Sequence, residues 1–183
     1  MKKKGFTLIE MIVVIAIIGV LAALLIPAMA GYVAKAKIQN ANAAAREVLT
    51  GVNLAMTEMM NQDFNVSFMT GTITTTGADV QRIVSQPAPS GHTTDPDELS
   101  TILYHKAENY FSDIVRVDTM TLSINDGHCS ATGVMLNNYP GSHPIAIGSD
   151  NYNAELRNGN TWDSNLALTY ALGRGQTQDQ QGG

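Results

Sequence analysis

From Met11 to Ile26 no residue carries a charge, and beyond Pro27 the apolar run resumes through Ala28, Met29, Ala30, Tyr32, Val33 and Ala34. A bilayer's hydrocarbon core demands about 20 such residues of a helix. The stretch is long enough to span it. The chain therefore has one part that belongs in lipid or against other apolar helices, and a remainder of ordinary single-domain size. Lys2, Lys3 and Lys4 precede the run. Basic residues in that position keep an amino terminus in the cytoplasm, so residues after about Lys35 are expected to face outward.

Glu10 stands at the mouth of this run. An acidic side chain near the centre of a membrane helix costs roughly 2.5 to 3.5 kcal/mol, and less near the edge. An ionisable residue there is a functional candidate that needs a partner. No basic side chain follows until Lys35. The cation nearest to hand is an α-amine made by cutting just before Phe6, one helical turn from Glu10. Met1 to Gly5 is too short, and too abruptly joined to the run, for a secretory signal whose apolar core is discarded.

The basic leader, Gly5, Phe6, Thr7, Glu10, Gly19 and Pro27 together resemble the amino terminus of a type IV pilin precursor. The resemblance covers residues 1–34, and beyond about Gln62 no further motif of that family is present. It implies that a membrane aspartic peptidase, the prepilin peptidase, cuts after Gly5 and N-methylates Phe6. It implies next that Phe6, Thr7 and Glu10 serve assembly, with Glu10 pairing with the amine of a neighbouring subunit. The implied partners are copies of the chain in a helical filament, the prepilin peptidase, the pilus assembly machinery and the lipid bilayer before assembly. The implied location is a single pass through the cytoplasmic membrane with the head outside, then a cell-surface pilus. An alternative within the resemblance is a pseudopilin of a type II secretion or DNA-uptake system, where the same helix builds a short piston. A sensory or binding module on a plain signal anchor is a third reading, although a plain anchor has no use for Glu10.

Gly19 and Pro27 weaken the helix inside its apolar half. Proline cannot donate to the carbonyl of Ala23, and its ring presses on that turn at a cost of ~3 kcal/mol. A kink is expected near Ala23 to Pro27, and the resemblance implies that Gly19 to Pro27 loses helical form on packing in a filament.

The helical pattern continues past the membrane. Ile38, Ala41, Ala45, Val48, Leu49, Val52, Ala55, Met56 and Met59 recur at steps of three and four, with Lys35, Lys37, Gln39, Arg46, Glu47, Asn53 and Glu58 mostly between them. One helix from Phe6 to about Gln62, apolar all round and then two-faced, is the expectation; a break near Gly31 is the alternative. Asn65 to Thr76 reads as extended, turning at Gly71 and Gly77, and Asp79 to Ser85 as a short helix capped by Asp79. Asp95-Pro96-Asp97-Glu98 starts a helix with Leu99, Ile102, Leu103 and Ala107 as its apolar stripe. Ile114 to Ile124 reads as a strand, Asn125-Asp126-Gly127 as a turn and Cys129 to Leu136 as the returning strand. Ile145 and Ile147 suggest a third strand, and Asn158-Gly159 a hairpin between Ala154 to Arg157 and Asn160 to Trp162. Leu166 to Leu172 fits a strand or a helical turn. The fold class is α+β: a long amino-terminal helix packed on a small antiparallel sheet. The expected parts are a leader, 1–5; the membrane and assembly half of the helix, 6–34; its amphipathic half, 35–62; a globular head, 63–172; and a disordered tail, 173–183.

The net charge of −5 becomes −8 without the leader's Lys2, Lys3 and Lys4, so nucleic acid is not indicated as a partner. Cys129 is the only cysteine, and no intrachain disulfide can form. Many pilins of Gram-negative bacteria close a C-terminal loop with a disulfide; this departure leaves open a Gram-positive pilin or a pseudopilin. His128 and Cys129 are adjacent, with His92, His105 and His143 elsewhere, but structural zinc sites gather four ligands at tight spacings that this chain lacks. Asp150, Asn151, Asn153 and Asp163 offer oxygens of the kind calcium takes, and read more simply as a solvated turn. No cofactor and no metal are expected. No serine, histidine and acid set stands in a catalytic context, which points to a structural chain rather than an enzyme.

Overall fold

The structure, a computed structural model, describes residues 6–89, 91 and 93–174. The expected leader, residues 1–5, and residues 175–183 of the expected tail lie outside them. The chain divides into two compact units, residues 1–36 and 37–183. Helix α1, Leu8–Asn61, is assigned as one element of 54 residues with no break at Gly31.

In the second unit, α1 buries the face its periodicity marks. Ile38, Ala41, Ala45, Val48, Val52, Ala55, Met56 and Met59 are all within 2 % of complete burial. The helix ends where Asp63 takes a positive φ of 62°. Asp63 N–H then donates to Met60 O and Phe64 N–H to Met59 O, the paired bonds that close a helix end by satisfying its last carbonyls. Four strands follow in the order β1-β2-β3-β4, all antiparallel: β1 Gly71–Thr76, β2 Thr119–Asn125, β3 His128–Leu136 and β4 Tyr139–His143. The helices are α2 Gly77–Val84, α3 Pro96–Tyr110, α4 Ser149–Arg157 and α5 Ser164–Ala171.

The sheet is covered on both faces. Met120, Leu122, Ile124 and Val134 join the main core with the α1 residues, and Thr132 Oγ1 donates to Ala45 O of α1 at 2.8 Å. On the other face Thr121 Oγ1 donates to Ser164 Oγ of α5 at 2.8 Å, and Ala131 packs with Leu168 and Ala171. Thr121, on the strand face that looks solvated in sequence, is therefore fully buried. Gly133 makes this closeness possible, because a Cβ there would sit 2.2 Å from Leu168 N.

Several local expectations are corrected. The stretch Asn65 to Thr76 is extended only in β1; Val66–Phe68 is a 3-10 turn. Helix α2 is capped by Thr76 rather than Asp79: Thr76 Oγ1 accepts from Asp79 N–H at 3.0 Å and donates to Asp79 Oδ2 at 2.7 Å. Strand β2 begins at Thr119, because Ser112–Arg116 is a 3-10 turn in which Ile114, with Val117 three residues on, is buried. A spacing of three suits a tight helix and not a strand's alternation. The third return strand is β4 and not Ile145 to Ile147. Asn137 and Asn138 both take positive φ, 52° and 65°, which is the geometry of a two-residue hairpin turn. Asn158-Gly159 ends helix α4 instead of turning a hairpin. Gly159 at φ 78° lets its N–H reach Leu156 O and lets Asn160 N–H reach Glu155 O. The run Leu166 to Leu172 is helical, with Asp163 Oδ1 accepting from Leu166 N–H at 2.7 Å.

Candidate functional site

Residues Leu8–Ile26 of α1 form a 19-residue segment long and apolar enough to cross a membrane. Every described side chain in it is exposed except half-buried Ala22. Apolar patches on soluble monomers are normally limited to about a few hundred Å². A continuous exposed apolar segment of 19 residues is the kind of surface that marks contact with a membrane or another protein.

The helix opens with a reciprocal cap. Thr7 precedes the first helical residue, and Glu10 is the third residue inside. Glu10 N–H donates to Thr7 Oγ1 at 3.3 Å, while Glu10 Oε2 accepts from Thr7 N–H at 2.8 Å and from the Thr7 hydroxyl at 2.6 Å. This Thr-x-x-Glu box satisfies donors that a first helical turn leaves without partners. It also sets the carboxylate at the positive end of the helix dipole. From sequence, the expected partner of Glu10 is a cation. In the structure Thr7 of the same chain is a partner, and the spacing Thr7-Leu8-Ile9-Glu10 was the available signal.

Phe6, Ile9, Glu10, Val13 and Val14 line one open groove. Steps of three and four place them on a single helix face, so Glu10 lies in an apolar stripe with Phe6. The structure thus brings Phe6, Thr7 and Glu10 together. Gly5 lies outside the described residues. Gly19 and Pro27 fall inside the continuous helix, and a Cβ on Gly19 would meet nothing within 4 Å. Among the described residues no packing requires glycine there.

His92 lies outside the described residues; the remaining candidates within them occupy ordinary structural places. Cys129 is buried in β3, and burial pushes its thiol up to about 12, so it is no nucleophile at neutral pH. His128 beside it is exposed. Asp150, Asn151 and Asn153 lie on helix α4 and not on a loop, and Asp163 is spent capping α5. Among the described residues no group of His, Cys, Asp and Glu gathers as a metal site. Two residues that sequence reasoning missed are Asn42 and Asn53, which bond the sheet and its flanking loop. The only signal for them was their place beside the apolar face of α1.

Residues 1–26 match the family model described as the prokaryotic N-terminal methylation motif. The chain carries that motif. The chain is also 47 % identical over 51 residues to a fimbrial protein of Moraxella nonliquefaciens, covering 28 % of this chain and 33 % of that one. It is 43 % identical over 56 residues to the type IV major alpha-pilin of Moraxella bovis, covering 31 % and 35 %. It is 54 % identical over 39 residues to the type IV major pilin protein PilE1 of Neisseria gonorrhoeae, covering 21 % and 24 %. The matched region spans about a quarter to a third of these relatives. No solved structure matches the chain. Residues 1–26 carry the methylation motif, and the arrangement of the chain is α+β, a long helix with a four-stranded antiparallel sheet.

Proposed function

We propose that this chain is the structural subunit of a type IV pilus-like filament. It is cut after Gly5, methylated at Phe6, held in the cytoplasmic membrane with its head outside, and polymerised through α1. The observation that carries the reading is the pairing of Glu10 with Thr7 at the start of an exposed apolar helix that bears the methylation motif. The chain's role is structural; the peptidase and the assembly machinery are other proteins.

Glu10 has two successive partners in this account. In the single subunit, the Thr7 hydroxyl and amide hold the carboxylate, which lowers the cost of placing it near lipid. Cutting before Phe6 creates an amine, and in a filament the amine of a neighbouring Phe6 competes for Glu10. A unit-charge pair attracts far more strongly away from water than a hydroxyl does. Leaving either charge unpaired there costs several kcal/mol, so the pair selects register as well as affinity.

Two substitutions test this. Glu10→Ala removes cap and charge, and Glu10→Gln removes the charge while keeping an oxygen for Thr7. Both are expected to leave leader removal intact and to reduce incorporation into sheared surface filaments at least tenfold. Equal incorporation of Glu10→Gln would sink the role of the charge. A pseudopilin shares the same helix, and the single buried Cys129 favours keeping that reading because it forms no disulfide-closed loop. The mature mass confined to membranes, with none in the sheared fraction, would select it.

A further inference from the structure

The segment that joins α1 to β1 reads Asp63-Phe64-Asn65-Val66-Ser67. Asparagine followed two residues later by a hydroxyl residue, with no proline between, is the acceptor pattern for N-linked glycosylation on the surface of exported chains. Asp63 adds a carboxylate two residues before the asparagine.

The structure arranges these five residues so that the pattern faces solvent. Asp63, Asn65 and Ser67 are exposed, while Val66 is 3 % exposed and Phe64 packs half-buried against the core. Acid, amide and hydroxyl thus alternate with the two residues that pin the segment to the head. Asn65 Oδ1 accepts from Ser67 N–H at 3.2 Å and from the Ser67 hydroxyl. The oxygen end of the amide is engaged by the hydroxyl residue of the pattern. Nδ2 is the end of the amide that this turn does not use.

We propose that Asn65 is an N-glycosylation site, modified on the outer side of the membrane by an oligosaccharide carried on a polyprenyl pyrophosphate. In the transfer, Asn65 Nδ2 attacks C1 of the first sugar. The C1–N bond forms as the bond from C1 to the pyrophosphate oxygen breaks. The polyprenyl pyrophosphate leaves with the bonding electrons, and Nδ2 gives one proton to a base of the transferase. Nothing is oxidised or reduced. The inference rests on the topology given under Proposed function, with the head outside.

The test uses the full chain purified from the membranes and surface of cells that make it. Peptide mapping and intact mass are read on the same cells as protease accessibility of the head. The expected result is a saccharide increment on the peptide containing Asn65, lost in Asn65→Gln and in Ser67→Ala and kept in Ser67→Thr. Keeping Asn65 in both Ser67 variants separates loss of the pattern from loss of the acceptor. An unmodified Asn65 in a chain whose head is protease-accessible from outside overturns the site while leaving the topology standing. A head shielded inside the cell overturns the topology and the site together, and the protease result tells the two failures apart. An increment that persists in Ser67→Ala also overturns it.

Discussion

Asn42 and Asn53 each use both ends of an amide to hold backbone that strands leave open. Asn53 Nδ2 donates to Cys129 O and its Oδ1 accepts from Cys129 N–H, both at 2.9 Å. Asn42 Nδ2 donates to Ile147 O at 2.9 Å, and its Oδ1 accepts from Ser142 N–H and Ile147 N–H. Each stands in for a missing strand partner, which is why Ile147 is buried without belonging to a strand. A buried group left unpaired costs about 1 to 3 kcal/mol. Asn53→Leu strands two, so unfolding of the full chain in detergent by urea is expected to show a loss of about 2 kcal/mol or more. A polar residue beside an apolar stripe reads as solvent-facing in sequence, and only the presence of an unpaired strand end decides otherwise. Glu58, between the same two faces, behaves likewise. Lys106 Nζ donates to it at 2.7 Å and Tyr110 OH at 3.1 Å. The Lys106 bond is the largest cause holding the Glu58 carboxyl below its ordinary 4.5. The folded-state pKa is the lower one, so this stabilisation is complete above the ordinary value and is lost as pH falls through the folded value. Stability of Glu58→Gln measured across pH 2 to 6 is expected to fall less steeply on the acid side than that of the parent. The carboxylate is about one-third exposed, so solvent screens the gain.

Among the elements, three helix ends turned on positive φ, at Asp63, Gly159 and Gly173. Gly159 and Gly173 each lie just past a helix end, and in each case two N–H groups reach back to the last carbonyls. The pair Asn158-Gly159 has the same composition as a hairpin turn because both structures need a residue free to adopt that backbone. What separates them is the preceding residues, which in α4 form a polar helix and in β2 alternate. Helix α3 was legible because Asp95 and Pro96 fix its start chemically: Asp95 Oδ1 accepts from Asp97 N–H at 2.9 Å. Strand β4 was not, because Pro140 within it argues against a strand until its place at the sheet's edge is known. That edge also meets α1 closely. A Cβ on Gly141 would lie 2.1 Å from the backbone of Ala41, with no flexible side chain to yield. Gly141→Ala is therefore expected to cost about 3 kcal/mol or to push strand and helix apart, the upper end of what overpacking does. Gly31→Ala is the matched control, since a Cβ there meets nothing within 4 Å. Thermal unfolding of the two variants should differ in that order.

For the whole molecule, the two units were legible to different depths. The amino-terminal pattern is made of residues close in sequence, so Phe6, Thr7 and Glu10 stand together at the start of α1 whatever the head does. The head is a set of pairings between residues far apart in the chain. Its class followed from periodicity, whereas its strand order and the covering of both sheet faces depended on the long-range packing of α1 and α5. The same division makes a prediction about truncation. Among the described residues every buried hydrophobic residue of the core lies at or beyond Ile38, so a chain beginning at Lys37 keeps that core and loses the exposed apolar segment. It is expected to be soluble without detergent and to unfold in one cooperative transition. A chain beginning at Gln62 also loses that segment, but it loses Val48, Val52, Met56 and Met59, each fully buried in the parent. At about 1.5 to 3 kcal/mol for each such side chain, the deficit is on the order of 6 to 12 kcal/mol. That is the size of the entire stability of an ordinary domain, about 5 to 15 kcal/mol. The shorter chain is therefore expected to show no cooperative transition by circular dichroism. A folded head in its absence would mean that α1 is a passenger on the sheet rather than part of its core.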